Sequence, residues 1–244
     1  MRSPPQLDPS RDRRRGSLIL AHRGDWTDAP ENSLAAFSAA AARPGIDGAE
    51  FDVRLAGDGT PVVSHDGDLQ RVQGIGRRVR ELTAAELTAL GVPTLASVLE
   101  VLPEPSFLDV ELKEDVASEV VPLLARVRGD PPRHVVISSF RPGAIASVRR
   151  VAPAWPTWLI HLELDERVVA TARSLGCVGI AAEWPALEAA SIRLVRASGL
   201  QLAVWTVEDP ETFERVRGLD VDVICVDPSA WRDRAGEAES RTGC

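Results

Sequence analysis

Three short apolar segments of this 244-residue chain carry side chains that transfer protons or hold charge. The first segment ends in His22 and Arg23, the second contains Glu50 and Asp52, and the third ends at His65. An imidazole exchanges protons near neutral pH, and a guanidinium binds phosphate oxygens through paired N–H donors. Neighbouring carboxylates supply the hard oxygen ligands that Mg²⁺ and Ca²⁺ prefer. Together these side chains predict a metal-assisted phosphoryl-transfer site.

The spacing of Glu50 and Asp52 places both carboxylates on one face of a strand. Successive side chains of a strand alternate between its two faces, so positions 50 and 52 point the same way. The residues around them are apolar, and two carboxylates in such surroundings lose hydration and repel each other. The pair therefore needs a cation or hydrogen-bond donors beside it.

Further motifs follow in order along the chain, and together they resemble the glycerophosphodiester phosphodiesterases over roughly residues 18 to 228. The motifs that carry the resemblance are His22-Arg23-Gly24, Pro30-Glu31-Asn32-Ser33, Glu50-Phe51-Asp52, Asp58-Gly59, His65-Asp66 and Glu111-Leu112-Lys113. Weaker similarities are Leu69, Arg71, Pro93-Thr94-Leu95, Ser138-Ser139-Phe140 and Trp205-Thr206-Val207. The chain departs from the family pattern at Gly57, at Glu208 and in the closing strand, and none of these departures removes a predicted ligand or proton-transfer group.

This resemblance implies hydrolysis of a glycerophosphodiester to sn-glycerol 3-phosphate and an alcohol. It also suggests attack by the substrate's own glycerol hydroxyl through a cyclic phosphate, while direct attack by water stays open. Two alternative functions are a lysophospholipase D-like phosphodiesterase and a non-catalytic phosphate-binding barrel. Arginines between residues 66 and 92 could meet anionic head groups, which keeps the first alternative open. The presence of both histidines and all the predicted ligands argues against the second.

Eight apolar, often β-branched runs alternate with amphipathic segments, which predicts a (β/α)8 TIM barrel. Helix signals include Ser33 before residue 34, Asp165 before residue 166, and Asp209 followed by a proline. A doubly wound open sheet is the alternative, because periodicity does not reveal the neighbours of a strand. The predicted strands cover residues 18–22, 48–54, 106–112, 134–140, 156–162, 177–182, 200–206 and 221–226.

One interval between predicted strands, the one that contains His65, is about twice as long as the others. Loops of that length inside a compact domain are mostly functional. We therefore expect a small insertion after the second barrel strand, at about residues 56–105, and the family resemblance implies one in the same place.

In a TIM barrel the active site lies at the carboxyl ends of the strands, so the predicted site gathers there. Glu50, Asp52 and Glu111 are the predicted ligands of a divalent cation. Hard oxygen donors without nearby sulfur suit Mg²⁺ or Ca²⁺, and the sequence does not choose between them.

The remaining site residues are assigned to phosphate binding, proton transfer and the substrate pocket. Arg23 and Lys113 are predicted to bind phosphate oxygens. His22 and His65 form the predicted acid–base pair, although the residues do not show which imidazole accepts the proton and which donates it. Trp205 either lines the substrate pocket or packs the end of the barrel.

Four more side chains near the strand ends have two possible roles each. Glu31 would cap the following helix or contact the site, and we expect the cap. Asp66 would orient His65 or bond the backbone of its turn. Trp184 and His161 would shape a leaving-group pocket or pack against the barrel.

Composition and charge limit the classes of partner. The formal net charge of −8 argues against nucleic acid or an anionic membrane as the main partner. The expected partner is a small-molecule glycerophosphodiester, and the oligomeric state is not predicted. No segment approaches the ~18 apolar residues of a membrane span. The first residues lack the pattern of a signal peptide, so we expect a cytoplasmic protein.

Three regions are predicted along the chain. Residues 1–16 are expected to be a disordered basic arm, 17–231 a single catalytic domain, and 232–244 a disordered tail. Cys177 and Cys225 lie in apolar runs and are predicted to be buried reduced thiols.

Overall fold

Eight parallel strands close into a barrel. The computed structural model describes residues 16–231, so the predicted arm, apart from Gly16, and the predicted tail lie outside the described residues. The strands are β1 (Leu18–His22), β2 (Gly48–Leu55), β3 (Pro61–Val63), β4 (Asp68–Leu69), β5 (Ile75–Arg78), β6 (Phe107–Leu112), β7 (Val135–Ser139), β8 (Thr157–His161), β9 (Gly179–Glu183), β10 (Gln201–Val207) and β11 (Val223–Val226).

The order of the strands around the sheet is β1-β11-β10-β9-β8-β7-β6-β2, with β3 added antiparallel to β2. Because β1 also pairs with β2 in parallel, the sheet closes on itself. The TIM barrel is therefore confirmed and the open-sheet alternative is wrong. Each predicted barrel strand lies within two residues of its observed bounds.

Helices lie between the strands, and all but two short ones in the interval after β2 cover the outside of the barrel. They are α1 (Leu34–Ala42), α2 (Gln70–Gln73), α3 (Ala84–Ala89), α4 (Leu95–Val101), α5 (Ala117–Arg128), α6 (Pro142–Val151), α7 (Glu166–Ser174), α8 (Ala189–Ala197) and α9 (Pro210–Arg217). The predicted start signals are confirmed, because the side chains of Ser33, Asp165 and Asp209 each accept a backbone N–H from the first turn of the helix that follows.

Strand alternation separates the outer core from the interior of the barrel. In β2, Phe51 points outward and its ring meets Phe37 of α1 edge to face, with ring centroids 5.6 Å apart. Glu50 and Asp52, which stand on either side of Phe51 in the sequence, therefore point inward. Deeper in the interior, an apolar layer that includes Leu20 fills the barrel. The inward carboxylates thus lie above an apolar floor and not in water.

The stretch from residue 56 to 105 holds β3, the antiparallel hairpin of β4 and β5, and helices α2 to α4. A small apolar core of its own, which includes the fully buried Leu69 and Leu87, holds the first part of this stretch together. We call residues 56–94 the insertion, because α4 beyond it packs on α1 as a barrel helix.

Two further features of the described residues bear on the predictions. None of the helices is long and apolar enough to cross a membrane. Cys177 and Cys225 are buried and unpaired, as predicted.

Candidate active site

The turn after β1 carries His22 and Arg23 to the carboxyl end of the barrel. Arg23 has a φ of 59° and Gly24 a φ of 86°, so the chain turns through two left-handed residues. A Cβ on Gly24 would lie 2.8 Å from the carbonyl carbon of Ala36 in α1, so the position requires glycine. The Arg23 N–H donates to the Glu50 carbonyl at 3.0 Å, which fixes the turn against β2.

A carboxylate beyond the last barrel strand holds His22. The Nδ1–H of His22 donates to Asp227 Oδ1 over 2.6 Å, and its Nε2 lies 3.9 Å from Glu50 Oε2. A carboxylate on Nδ1 fixes both the orientation and the tautomer of the ring. The sequence analysis did not select Asp227 as a site residue, although its place directly after a barrel strand was the available signal.

His65, in the insertion, is held in the same way. Its Nδ1–H donates to Asp66 Oδ1 at 2.7 Å, which confirms the orienting role considered for Asp66. The carbonyl of His65 accepts from Nε and Nη2 of Arg54 at 3.0 and 2.8 Å, so β2 positions this loop. Burial lowers the pKa of His65 below its usual value, by more than the charge of Asp52 raises it.

Glu50, Asp52 and Glu111 form one carboxylate cluster at the mouth of the barrel. One oxygen of each lies within 4.8 Å of the oxygens of the other two. All three side chains are buried. Glu50 Oε2 is buried without a hydrogen-bond partner, which is costly unless a cation or another donor meets it. The three oxygen donors therefore fit a hard divalent cation.

Burial and mutual repulsion divide the charge of this cluster unequally. Burial raises the pKa of Glu50 well above its usual value, and Asp52 and Glu111 add to the shift. Burial also raises the pKa of Glu111 to about 7, with Asp52 as the second cause. For Asp52, burial acts in the same direction, but Lys113 and Arg23 outweigh it and hold the pKa well below its usual value.

The two predicted phosphate-binding residues are held by carboxylates. Lys113 Nζ lies 2.9 Å from Asp52 Oδ1 and 2.6 Å from Glu111 Oε1. Arg23 Nε lies 3.2 Å from Asp52 Oδ2, and its Nη1 donates to Glu31 Oε1 at 2.9 Å. Burial lowers the pKa of each cation, but the neighbouring carboxylates outweigh it, so both pKa values rise and both groups keep their charge.

Two buried residues of the site were not predicted as part of it. Asn32 Nδ2 donates to Asp52 Oδ2 at 2.8 Å. Asp109 accepts from Ser138 Oγ at 2.5 Å, and burial raises its pKa to about 7. Asp109 stands two positions before Glu111 on β6, so the two side chains share the inward face. That spacing, which the sequence analysis used for β2, was the available signal.

Glu31 links the turn after β1 to the insertion. Its Oε1 accepts from Arg23, and both of its oxygens accept from Arg71, at 2.7 and 2.8 Å. Arg71 Nε in turn donates to Asp66 Oδ2 at 2.6 Å, so a continuous chain of ion pairs reaches the partner of His65. The expected helix-capping role of Glu31 is wrong, because a serine two residues later caps α1.

These groups surround a cavity of about 160 Å³. One wall carries the imidazoles and the charged groups described above. The opposite wall is apolar and includes Phe140, Ile160 and Trp205. The rings of Phe140 and Trp205 meet edge to face at 5.4 Å, and the indole Nε1–H of Trp205 donates to the Ala181 carbonyl at 3.1 Å. Trp205 therefore both lines the cavity and packs the end of the barrel.

Trp184 and His161 do not line this cavity. The ring of Trp184 lies under the Arg215 guanidinium at 4.6 Å. His161 Nδ1 accepts from the N–H of Glu163 at 3.0 Å in an exposed turn. For these two residues the structure favours packing and turn formation over a leaving-group pocket.

Comparisons with known proteins agree with this geometry. The sequence matches the glycerophosphoryl diester phosphodiesterase family over residues 22–230. A glycerophosphodiester phosphodiesterase of Caldanaerobacter subterraneus subsp. tengcongensis is 30% identical, and the match covers 86% of this chain and 94% of that protein.

Solved structures show the same fold. The glycerophosphodiester phosphodiesterase of Thermotoga maritima is 28% identical with a TM-score of 0.75, over 90% of this chain and 98% of that one. A phosphodiesterase of Oleispira antarctica, solved with its product sn-glycerol-3-phosphate, has a TM-score of 0.78 at 24% identity, over 91% of this chain and 97% of that one.

The family match spans β2, β6 and the insertion, and it begins at His22. It therefore includes every residue of the carboxylate cluster and both imidazoles. The chain is an enzyme of the glycerophosphoryl diester phosphodiesterase family.

Proposed function

We propose that this chain hydrolyses glycerophosphodiesters to sn-glycerol 3-phosphate and an alcohol, with His22 and His65 as its proton-transfer pair. The observation that carries the proposal is the convergence of two imidazoles, each fixed by an aspartate, on the cavity that holds the carboxylate cluster. Membership of the family supports the substrate class.

The phosphate group of the substrate is bound by Arg23 and Lys113. Both cations border the cavity and are fixed by carboxylates, so little side-chain entropy is lost when an anion binds. Arg23 donates from Nη1 to Glu31 and holds Nε beside Asp52 as an ion pair, which leaves Nη2 to donate to a phosphate oxygen. Lys113 forms ion pairs with Asp52 and Glu111 and places its positive charge beside the same phosphate group.

Proton transfer is assigned from the pKa of His65 and from the carboxylate partners of the two imidazoles. The lowered pKa of His65 keeps that ring neutral at pH 7, and a neutral ring with Nδ1 bonded to Asp66 presents a free Nε2 as a base. His65 therefore takes the proton of the attacking hydroxyl. His22, which Asp227 orients, donates a proton to the departing alkoxide. The family resemblance favours the reverse assignment, with His22 as the base. The choice of His65 as the base is therefore a prediction from its lowered pKa.

Glu50, Asp52 and Glu111 would hold a divalent cation, Mg²⁺ or Ca²⁺. When bound, that cation supplies Lewis-acid stabilisation of charge on the phosphate. The raised pKa values of Glu50 and Glu111 mean that the cation competes with protons for these oxygens. The cavity wall formed by Phe140 and Trp205 would cover the carbon atoms of the glycerol and exclude water from them.

The deciding experiment measures release of glycerol 3-phosphate from glycerophosphocholine with Mg²⁺, with Ca²⁺ and with excess chelator. We expect release with at least one ion and none with the chelator. His22→Ala and His65→Ala should each lower kcat by about 10²–10⁴, while His161→Ala, which removes a histidine outside the cavity, should leave it unchanged.

Three results would contradict the proposal in different ways. Turnover of lysophosphatidylcholine but not glycerophosphocholine would assign the lysophospholipase D-like activity. Phosphate binding without turnover of either diester would indicate a binding barrel. Near-normal kcat in either folded histidine variant would remove that residue from proton transfer.

A further inference from the structure

A second cleft opens beside the active-site cavity, between the insertion and the carboxyl ends of β6 and β7. Its volume is 380 Å³, larger than the active-site cavity. Basic side chains dominate its lining, in a protein whose formal net charge is −8. The basic residues are Arg54, Arg78, Arg80, Lys113 and Arg141. We call this space the arginine cleft.

The backbone of the insertion holds one wall of the arginine cleft in place. Val79 is 2% exposed and belongs to the apolar core of the insertion, while Arg78 and Arg80 on either side of it are exposed. The Val79 N–H also donates to the Gly67 carbonyl at 3.1 Å. A buried residue thus anchors the backbone between two arginines that both remain free to face the cleft.

Two of the basic groups already have partners. Arg54 lies 3.4 Å from Glu114, and its remaining donors hold the carbonyl of His65. Lys113 is held by the carboxylate cluster. These two residues join the cleft to the active site and do not supply its excess charge.

The excess charge comes from Arg78, Arg80 and Arg141. Among residues 16–231, no carboxylate lies within ion-pair distance of these three guanidinium groups. Apart from Glu114, Asp68 is the acid in the cleft lining, and it lies opposite Arg78 in the register of β4 and β5. Positive charge therefore exceeds negative charge in a concave space, where it acts more strongly on an anion than on a flat surface.

The position of Lys113 relates the cleft to the substrate. Lys113 borders both the active-site cavity and the arginine cleft. In a phosphodiester, two alcohols are esterified to the same phosphorus atom. If the cavity with the apolar wall of Phe140 and Trp205 takes the glycerol, the second alcohol extends past Lys113 toward the cleft.

We propose that the arginine cleft binds the departing alcohol when that alcohol carries negative charge, and that the preferred substrates are glycerophosphodiesters of a phosphorylated polyol. This inference rests on the proposed function and adds its leaving-group specificity. Arg78 and Arg141 are the residues that recognise the anion, one from the insertion and one from the start of α6.

A pair of substrates that differ by one phosphate tests the preference. We expect kcat/KM for glycerophosphoinositol 4-phosphate to exceed that for glycerophosphoinositol by about tenfold or more, since each charge-assisted contact contributes on the order of 1.4 kcal/mol. Higher salt should reduce the difference. Equal kcat/KM for the two substrates would overturn the inference while leaving the hydrolase activity established.

Variants that remove one positive charge test whether the arginine cleft causes the preference for the phosphorylated substrate. Arg78→Gln and Arg141→Gln should each reduce the preference by lowering kcat/KM for the phosphorylated substrate alone, and the double variant should remove it. Arg77→Gln is the matched control, because Arg77 neighbours Arg78 but pairs with Glu81 outside the cleft. An equal loss on both substrates, or the same loss in Arg77→Gln, would contradict a site in the arginine cleft.

Binding of inositol 4-phosphate, followed by calorimetry, tests the cleft without turnover. We expect binding by the unmodified chain and loss of binding in the double variant Arg78→Gln/Arg141→Gln, even if no diester were hydrolysed. Absence of binding would overturn the proposal. Turnover of lysophosphatidylinositol 4-phosphate faster than of the deacylated diester would retain the cleft and assign its anion to a lipid head group.

Discussion

Glu50 is the carboxylate of the cluster with the fewest polar partners. Its Oε2 atom is buried without a hydrogen-bond partner, and burial among other carboxylates raises its pKa well above the usual value. Asp52, by contrast, is surrounded by Arg23, Lys113 and Asn32. The site therefore places two cations and an amide around Asp52, although its Oδ1 atom makes no hydrogen bond, and it leaves Glu50 dependent on a proton or a cation.

We predict that Glu50→Gln removes most of the cation affinity while the fold is kept, since an amide preserves the shape and loses the charge. In the unmodified chain, cation at a hundred times its Kd should stabilise the fold by about 2.7 kcal/mol. Thermal unfolding with and without Mg²⁺ or Ca²⁺ measures this shift. Glu183→Gln, at the end of β9 and outside the cluster, is the control. An unchanged shift in Glu50→Gln would exclude Glu50 as a ligand.

At the scale of elements, the connection from β1 to α1 positions both a proton-transfer residue and a phosphate-binding residue. Gly24 contributes to it by packing directly against the backbone of Ala36. Asp25, the next residue, accepts short hydrogen bonds from the side chains of Arg43 and Thr27. The turn is thus tied to α1 at successive residues, and a change at Gly24 reaches the site through the backbone.

We predict that Gly24→Ala destabilises the fold by roughly 2–4 kcal/mol, because a steric clash adds to the cost of a left-handed alanine. Gly45→Ala separates the two causes, since Gly45 has a φ of 84° and open space around its Cβ position. That variant should cost only about 1–2 kcal/mol. Urea unfolding measures both. Equal losses would show that the contact with Ala36 contributes nothing.

The insertion and the barrel act as one unit at the mouth. The insertion supplies His65 and Asp66, and Arg71 carries ion pairs from Asp66 to Glu31 on the barrel side. Because Arg54 of β2 also holds the carbonyl of His65, the imidazole is fixed from both sides. The two imidazoles thus come from different parts of the fold, and the ion pairs of Glu31 and Arg71 link the elements that carry them.

Over the whole molecule, the buried acids make the stability of the metal-free protein depend on pH. Burial raises the pKa of Asp109 and of Glu111 to about 7, from ordinary values near 4. Between those values the folded state binds more protons than the unfolded state. The free energy of unfolding therefore falls as the pH rises from about 4 to about 7, and a bound cation would oppose this loss by replacing the protons.

We predict that Asp109→Asn reduces this pH dependence, because asparagine does not titrate. Urea unfolding in chelator at pH 5 and pH 7.5 should give a smaller difference for the variant than for the unmodified chain. Asp25→Asn is the control: hydrogen bonds from Thr27 and Arg43, together with the charge of Arg43, outweigh burial and lower the pKa of Asp25. It is therefore ionised in both states at both pH values, and its loss should be equal at each. An unchanged difference in Asp109→Asn would refute the assignment.

Local sequence patterns determined the strands, the helix starts and the chemical types at the mouth of the barrel. The alternation around Glu50 and Asp52 depends only on neighbouring residues, as do the caps at Ser33, Asp165 and Asp209. Motif order was enough to indicate the family. Such features are readable because their physical cause lies within a few residues along the chain.

The tertiary structure alone decided which side chains meet. Asp227 reaches His22 across 205 positions of sequence, and Arg71 reaches Glu31 across 40. The contact of Asp227 with His22 depends on the closure of β1 onto β11. The contact of Arg71 with Glu31 depends on the fold of the insertion. The role of Glu31 was predicted wrongly and the arginine cleft was not foreseen, because a guanidinium selects its partner by distance in space. Periodicity along the chain carries no information about that distance.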